Sequence, residues 1–166
     1  MKQKGVQKLV VIALLIALNI VLSRFVSIKA LNFKISLTFI TIVVAAYLYG
    51  YFGSIIVAFF GDLVGSLLFP IGPYNPLLSL TAVLSAVVYA YFFRKEMNKK
   101  NIICACFINR FIVSMIINTI IISLMYSLSF KATFLTRFYQ AIIMFIVEVL
   151  ILFISSKYIE RLNYVK

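Results

Sequence analysis

The chain has 166 residues, of which 64% are hydrophobic and 12% are charged, and a soluble domain of this size cannot bury so much apolar surface. The sequence therefore indicates an integral membrane protein; its net charge of +12 does not suggest nucleic-acid binding, because the basic residues stand at the ends of apolar runs. The absence of His excludes a His-based catalytic triad, and the two cysteines, at positions 104 and 106, predict neither a zinc site nor a disulfide.

The first predicted helix, residues 6–25, carries two unusual features. Ala13 and Ala17 are four residues apart, so they lie on one face and leave a groove in which another helix could approach closely. Arg24 lies near the end of this helix, about one membrane leaflet beyond the alanines, where a charge needs water or a partner. We predict that the alanine end docks a protein and that the arginine end helps to hold a ligand. The apolar run is too long for a cleaved signal peptide, so we expect this helix to be retained.

Five more helices are predicted, which makes one domain, residues 1–166, an all-α bundle of six transmembrane helices. Residues 27–37 are too polar for lipid and are predicted to form the first outer loop. The glycines at positions 50 and 53 indicate a short turn between the second and third helices. Residues 70–76 hold all three prolines and predict a rigid loop. The predicted bounds of the later helices are 36–50, 53–69, 77–93, 102–126 and 134–158.

The distribution of basic residues predicts the topology. Six helices put both termini on one side, which collects the lysines before position 9, the basic loop 94–100 and the basic residues after position 156. The positive-inside rule makes that side cytoplasmic. The outer side then carries basic residues without acidic ones, an excess that an anionic ligand would explain. These residues are Arg24, Lys29, Lys34, Lys131 and Arg137.

Several motifs, in the right order over most of the chain, resemble the folate-specific S component of energy-coupling-factor (ECF) transporters, the subunit that binds the substrate. The most specific is the Gly-Asp, Phe-Pro, Gly-Pro-Tyr succession. The sequence departs from the family at Ile120-Ile121, where members often have Trp, and at Ile146-Val147, where they often have Pro. The resemblance rests on ALLIALNIVLSRF at 13–25, GDLVGSLLFPIGPYNP at 61–76, LSLTAVLSA at 78–86, the pair Asn118-Thr119, and Arg137 with Glu148.

The resemblance implies a multi-pass protein of a bacterial plasma membrane that binds folate near its outer face. It also implies docking, through the small residues of the first helix, onto a transmembrane coupling subunit that carries two cytoplasmic ATPases. The chain has no phosphate loop, so we expect a transporter subunit rather than an enzyme, without a cofactor and with folate as the transported ligand. Two alternatives remain open: an S component for another vitamin, such as riboflavin or thiamin, and a small membrane-assembly subunit without a ligand.

Folate offers two carboxylates and a pterin ring, which require cationic, aromatic and hydrogen-bonding partners. We expect residues 27–37 and 70–76 to form a lid over a site lined by the last three helices. Each candidate for this site also has a structural interpretation. A lysine can be solvated, an arginine can reach the membrane surface, a tyrosine such as Tyr139 can lie at the membrane interface, and an asparagine can join two helices. The predicted substrate-binding residues are Arg24, Lys29, Phe69, Tyr74, Asn75, Ser79, Asn118, Tyr126, Arg137 and Gln140.

Three charged residues are expected at similar depth in the membrane. Asp62, Arg110 and Glu148 each lie nine residues from the cytoplasmic end of their helix, which puts them roughly 13 Å above that face. An unpaired arginine there would be costly, so we predict a structural charge cluster, with Glu148 as the main partner of Arg110. The alternative is a proton or cation relay, or an acid that binds the pterin edge.

Overall fold

The computed structural model describes residues 2–30, 33–70, 75–94, 97–126 and 129–161. The regular elements of this part of the chain are helices and one antiparallel hairpin, and five continuous helical stretches are long and apolar enough to cross a membrane. The elements are α1 (Lys2–Arg24), β1 (Ile28–Ala30), β2 (Phe33–Ile35), α2 (Phe39–Leu68), α3 (Pro76–Phe93), α4 (Lys99–Phe107), a π-helical segment (Ile108–Ile117), α5 (Asn118–Tyr126) and α6 (Phe130–Arg161).

The second and third predicted helices form the single element α2, which is kinked at Gly50. Gly50 has φ 66° and ψ −149°, a non-helical conformation that glycine adopts without steric cost. A cation lies over a tyrosine ring on each side of the kink: Lys8 is 5.4 Å from the ring centroid of Tyr49, and Arg94 is 5.9 Å from that of Tyr51. The start of α1, the kink and the end of α3 therefore lie at the same end of the bundle.

Some boundaries differ from the predicted ones. The predicted outer loop contains the hairpin β1–β2, in which Lys29 lies opposite Lys34. The last helix begins at Phe130, four residues early, because the backbone N–H and the Oγ1 of Thr133 both donate to the Ser129 carbonyl, each at 3.1 Å, and close a helical turn. Likewise α4 begins at Lys99 rather than at residue 102.

The core lies among α2, α3, α4 and α6, while α1 packs on the outside against α2. Tyr89 and Phe93 of α3 are fully buried and stack with ring centroids 5.9 Å apart. In α1, Leu15, Asn19 and Ser23 are buried. These three residues recur every four positions, so α1 turns one stripe toward the bundle. The half-buried Val11, Ile12 and Ile16 pack beside this stripe, and the opposite side of α1 is exposed.

Helices α1 and α2 approach closely at Gly61. A Cβ at this position would lie 2.7 Å from Oδ1 of Asn19, whose amide donates to Thr41 Oγ1 at 2.7 Å. We expect Gly61→Ala to lower the free energy of unfolding by about 1–3 kcal/mol, because the asparagine must move and its buried hydrogen bond is strained.

Gly5→Ala is the matched control, since nothing lies within 4 Å of a Cβ at Gly5 and the change in helix propensity is of the same kind. Thermal unfolding in detergent measures both variants. An equal unfolding midpoint for Gly61→Ala and Gly5→Ala would contradict the close approach of α1 to α2.

Candidate functional site

A polar cavity of about 240 Å³ lies within the apolar bundle. It is bordered by α1, the residues after β2, α2, α3, the π-helical segment, α5 and α6, so most of the fold contributes to it. Its polar lining residues are Asn19, Ser23, Ser36, Thr38, Asp62, Thr81, Ser85, Tyr89, Asn109, Arg110, Ser114, Asn118, Arg137 and Gln140. A cavity with this many hydrogen-bonding groups suits a polar or charged ligand better than a lipid tail.

Hydrogen bonds between side chains hold several of these groups in place. Asp62 accepts from the Ser79 hydroxyl at 2.6 Å, which joins α2 to α3. The Asn109 amide donates to the Tyr89 hydroxyl at 2.6 Å, which joins the π-helical segment to α3. Each bond fixes the orientation of a cavity-lining side chain, because a buried polar group without a partner is costly.

Arg110 and Glu148 form an ion pair beside the cavity. Nε of Arg110 donates to Oε2 of Glu148, and the exposed fractions of the two side chains are 15% and 0%. The arginine also lies over the Phe39 ring, 6.0 Å from its centroid. Asp62, the third residue of the predicted cluster, lines the same cavity as Arg110, but its carboxylate bonds to Ser79.

Arg137 brings a second guanidinium to the cavity, from α6. Its Nη1 donates to the backbone carbonyl of Ser114 at 3.2 Å, and a small niche between α6 and the π-helical segment is bordered by both Arg137 and Arg110. A guanidinium has five N–H donors, so Arg137 can bond this carbonyl and a ligand together. Two cations from neighbouring helices therefore border one polar cavity.

Three of the predicted substrate-binding residues line the cavity: Asn118, Arg137 and Gln140. Ser79 does not line the cavity, but its hydroxyl donates a hydrogen bond to Asp62, which does. Asp62 and Arg110, predicted as structural residues, line it as well.

The other predicted residues are not among the described residues that line the cavity. Nε of Arg24 lies beside Gly65 of α2, Phe69 packs edge-on against Phe25 with centroids 5.2 Å apart, and Asn75 caps α3 by accepting from the Leu77 N–H at 2.8 Å. Lys29 belongs to β1, and Tyr126 is the last residue of α5. Tyr139 is exposed on α6, and Tyr74 falls outside the described residues.

Sequence reasoning did not select several residues of the cavity, among them Asn19, Thr81, Ser85, Asn109 and Ser114. The available signal was a polar side chain within an otherwise apolar transmembrane stretch, since such residues usually face the bundle interior. This signal is weak for Ser and Thr, whose hydroxyls can bond a carbonyl of their own helix. Ser85 and Thr81 do so, with bonds of 3.0 and 2.7 Å.

The small residues predicted for docking lie on the uncovered side of α1. Ala13 and Ala17 are both exposed, as are the larger neighbours Leu9 and Leu14. Within the described part of the chain, the bundle therefore leaves the surface at Ala13 and Ala17 uncovered. No three Cys, Asp or Glu side chains of the described residues lie together as metal ligands.

Comparisons with known proteins agree with one another. Residues 7–158 match the family model of the ECF transporter substrate-specific component. The chain is 30% identical over 161 residues to the folate transporter FolT of Clostridium novyi (strain NT), which covers 96% of this chain and 94% of the relative. A crystal structure of FolT bound with folic acid superposes with a TM-score of 0.85 at 30% identity, and covers 90% of this chain and 92% of the other.

Proposed function

This chain belongs to the substrate-specific components of ECF transporters, and we propose that it binds folate at the outer side of the membrane and delivers it to an ATP-driven importer. Its membership confirms the resemblance found in the motifs of residues 13–25 and 61–76. It also makes the protein a transporter subunit rather than an enzyme. The choice of folate is supported by two proteins, each 30% identical over most of the chain: the folate transporter of Clostridium novyi and the FolT crystallised with folic acid.

The observation that carries the proposal is the polar cavity with arginines on two of its walls. Folate has a dianionic glutamate end and a pterin ring that needs directed hydrogen bonds. We propose Arg137 for a carboxylate, and Asn118 and Gln140 for directed hydrogen bonds, since all three line the cavity. Roles for Arg24, Lys29, Phe69, Tyr74, Asn75, Ser79 and Tyr126 in ligand contact stay predictions.

Topology and partners complete the proposal. We propose six transmembrane helices, counting the two arms of α2 separately, with both termini in the cytoplasm of a bacterial cell. The cationic end of the bundle, with Lys8 and Arg94 beside the Gly50 kink, would then face the cytoplasm, as the positive-inside rule requires. The partners would be a transmembrane coupling subunit and two ATPases, the first of them bound at Ala13 and Ala17.

Titration of the purified protein with folate, followed by tyrosine fluorescence and thermal stabilisation, tests the proposal. A ligand that binds only the folded state raises the unfolding midpoint, so folate should stabilise the protein at concentrations at which riboflavin and thiamin do not. Stabilisation by either of those vitamins, with none by folate, would assign the protein to a different vitamin. No stabilisation by any of the three would favour an assembly subunit.

Arg137→Ala should weaken folate binding by about 1.5–3 kcal/mol, because a charge-assisted hydrogen bond to a carboxylate is lost. Lys131→Ala is the matched control: it also removes one positive charge from α6, but its side chain is exposed and does not line the cavity. Isothermal titration of both variants measures the difference. Equal affinities would move the carboxylate site away from Arg137.

A further inference from the structure

The π-helical segment ends in a change of hydrogen-bond pattern. Its bonds join residues five apart, the last of them from the Asn118 N–H to the Val113 carbonyl, whereas the bonds of α5 join residues four apart. The carbonyl of Ser114 lies at this change. Within the helix it could accept only from the N–H of Asn118, four residues on, or from that of Thr119, five residues on.

Neither of these backbone donors serves the Ser114 carbonyl. The N–H of Asn118 is bonded to Val113. A bond from Thr119, five residues on, would extend the π-helical segment by one residue, but residue 118 already belongs to the α-helix α5. The change from one pattern to the other therefore passes over one carbonyl, that of Ser114, and leaves it without a backbone N–H.

Arg137 of α6 supplies a donor from outside the helix. Its Nη1 donates to the Ser114 carbonyl at 3.2 Å, and both residues border the niche between α6 and the π-helical segment. A backbone carbonyl without a donor costs free energy inside a membrane, because lipid cannot replace the missing N–H. The guanidinium meets this need and keeps other N–H groups for the cavity.

We propose that Arg137 is a positioning residue: its guanidinium replaces the N–H that the Ser114 carbonyl lacks and holds the π-helical segment where its hydrogen-bond pattern changes. Three cavity residues, Asn109, Arg110 and Ser114, belong to this segment. The bond therefore fixes one wall of the cavity before any ligand enters. This role is additional to the carboxylate contact proposed above, since one guanidinium has donors for both.

The two roles of Arg137 predict different effects on the ligand-free protein. A cation kept only for a ligand is costly in an empty site, so an apolar residue in its place would leave the protein equally or more stable. A cation that pairs with a carbonyl stabilises the empty protein, so the same replacement lowers its stability. Arg137→Met removes the charge and the donor, whereas Arg137→Lys keeps both.

Thermal unfolding of the ligand-free variants in detergent measures this difference. We expect the unfolding midpoint of Arg137→Met to fall by at least about 4 °C, and that of Arg137→Lys to lie closer to the wild type. Lys131→Met is the matched control, because it removes one exposed charge from the same helix, away from the cavity, and should leave the midpoint unchanged. A midpoint for Arg137→Met equal to or above that of the wild type would overturn the proposal.

Hydrogen exchange followed by mass spectrometry locates the effect. In ligand-free Arg137→Met, peptides that cover residues 108–118 should exchange at least about tenfold faster than in the wild type, because the segment opens locally without its bond to α6. Peptides that cover residues 53–66 of α2, which packs against α1 and α3, should keep the wild-type rate. Equal acceleration in both regions would indicate a general loss of stability and refute the local role. Unchanged exchange in both would show that water in the cavity serves the carbonyl equally well, which also refutes it.

A measurement on the wild type decides the question if Arg137→Met does not fold. With isotope labels on the side-chain nitrogens of arginine and on the carbonyl carbons of serine, solid-state NMR should show a contact that disappears in Ser114→Ala, which keeps the carbonyl but not its label. Absence of this contact would overturn the proposal. All three measurements use the protein without ligand, so a failure to bind folate would refute the proposed function and leave this inference standing.

Discussion

Arg110→Met is expected to lower the free energy of unfolding by about 3–5 kcal/mol, because it leaves the carboxylate of Glu148 buried without its cation. Glu148 is completely buried, and among the described residues its ion pair with Arg110 is the only salt bridge. Methionine keeps much of the volume of the side chain, so packing against Phe39 changes less than the charge does. Thermal unfolding and titration with a denaturing detergent measure the effect.

The matched variants are Glu148→Gln and the double variant Arg110→Met/Glu148→Gln. Removing both charges should restore part of the stability lost in Arg110→Met, since no charge then remains buried alone. A double variant as unstable as the sum of the two single variants would mean that the two residues do not stabilise each other. The structural role of the pair would then be wrong, and a relay or a ligand contact would be the better explanation.

Ala17→Leu is expected to reduce folate transport in cells by at least about tenfold while the isolated protein binds folate normally. Ala13 and Ala17 lie on the exposed side of α1, away from the stripe Leu15, Asn19 and Ser23 that packs on the bundle. Helices in a membrane associate through small residues that let their backbones approach, so a leucine would hold the coupling subunit away.

Leu18→Phe is the control for this prediction. Leu18 is also exposed on α1, but it lies about 100° around the helix from Ala17, so the larger ring does not enter the alanine groove. Uptake of labelled folate and copurification with the coupling subunit should both be reduced in Ala17→Leu and retained in Leu18→Phe. Normal uptake in Ala17→Leu and in Ala13→Leu would show that the coupling subunit binds elsewhere.

The amino-acid sequence by itself determined that this is a helical membrane protein. Apolar runs of this length must satisfy their backbone hydrogen bonds internally in lipid, and helices do so without help from distant residues. Because these runs are helices, the depth of a residue in the membrane can be counted along the sequence, since each residue advances an α-helix by about 1.5 Å. This is why Arg110 and Glu148, which are 38 residues apart and are ion-paired in the structure, could be matched from the sequence.

The glycines at positions 50 and 53 predict a turn between two helices, and the backbone does leave helical geometry at Gly50, where one residue's conformational freedom decides it. Residues 51–53 are helical, so the structure has one kinked element in place of the predicted turn. The family followed from short motifs, of which the Gly-Asp, Phe-Pro, Gly-Pro-Tyr succession was the most specific. Asn118, Arg137 and Gln140 are predicted as folate contacts because the carboxylates need a cation and the pterin edge needs directed hydrogen bonds, and all three line the cavity.

Only the tertiary structure decided which faces meet. Asp62 bonds to Ser79 of the next helix, and α1 contributes Asn19 to a cavity that was expected among the last three helices. The sequence predicts a helix over residues 102–126 but not the π-helical segment Ile108–Ile117 within it, since an apolar stretch reveals its length but not whether its hydrogen bonds join residues four or five apart. The segment contacts α3 and α6, and its hydrogen-bond pattern sets which of its side chains, Asn109 and Arg110 among them, border the cavity.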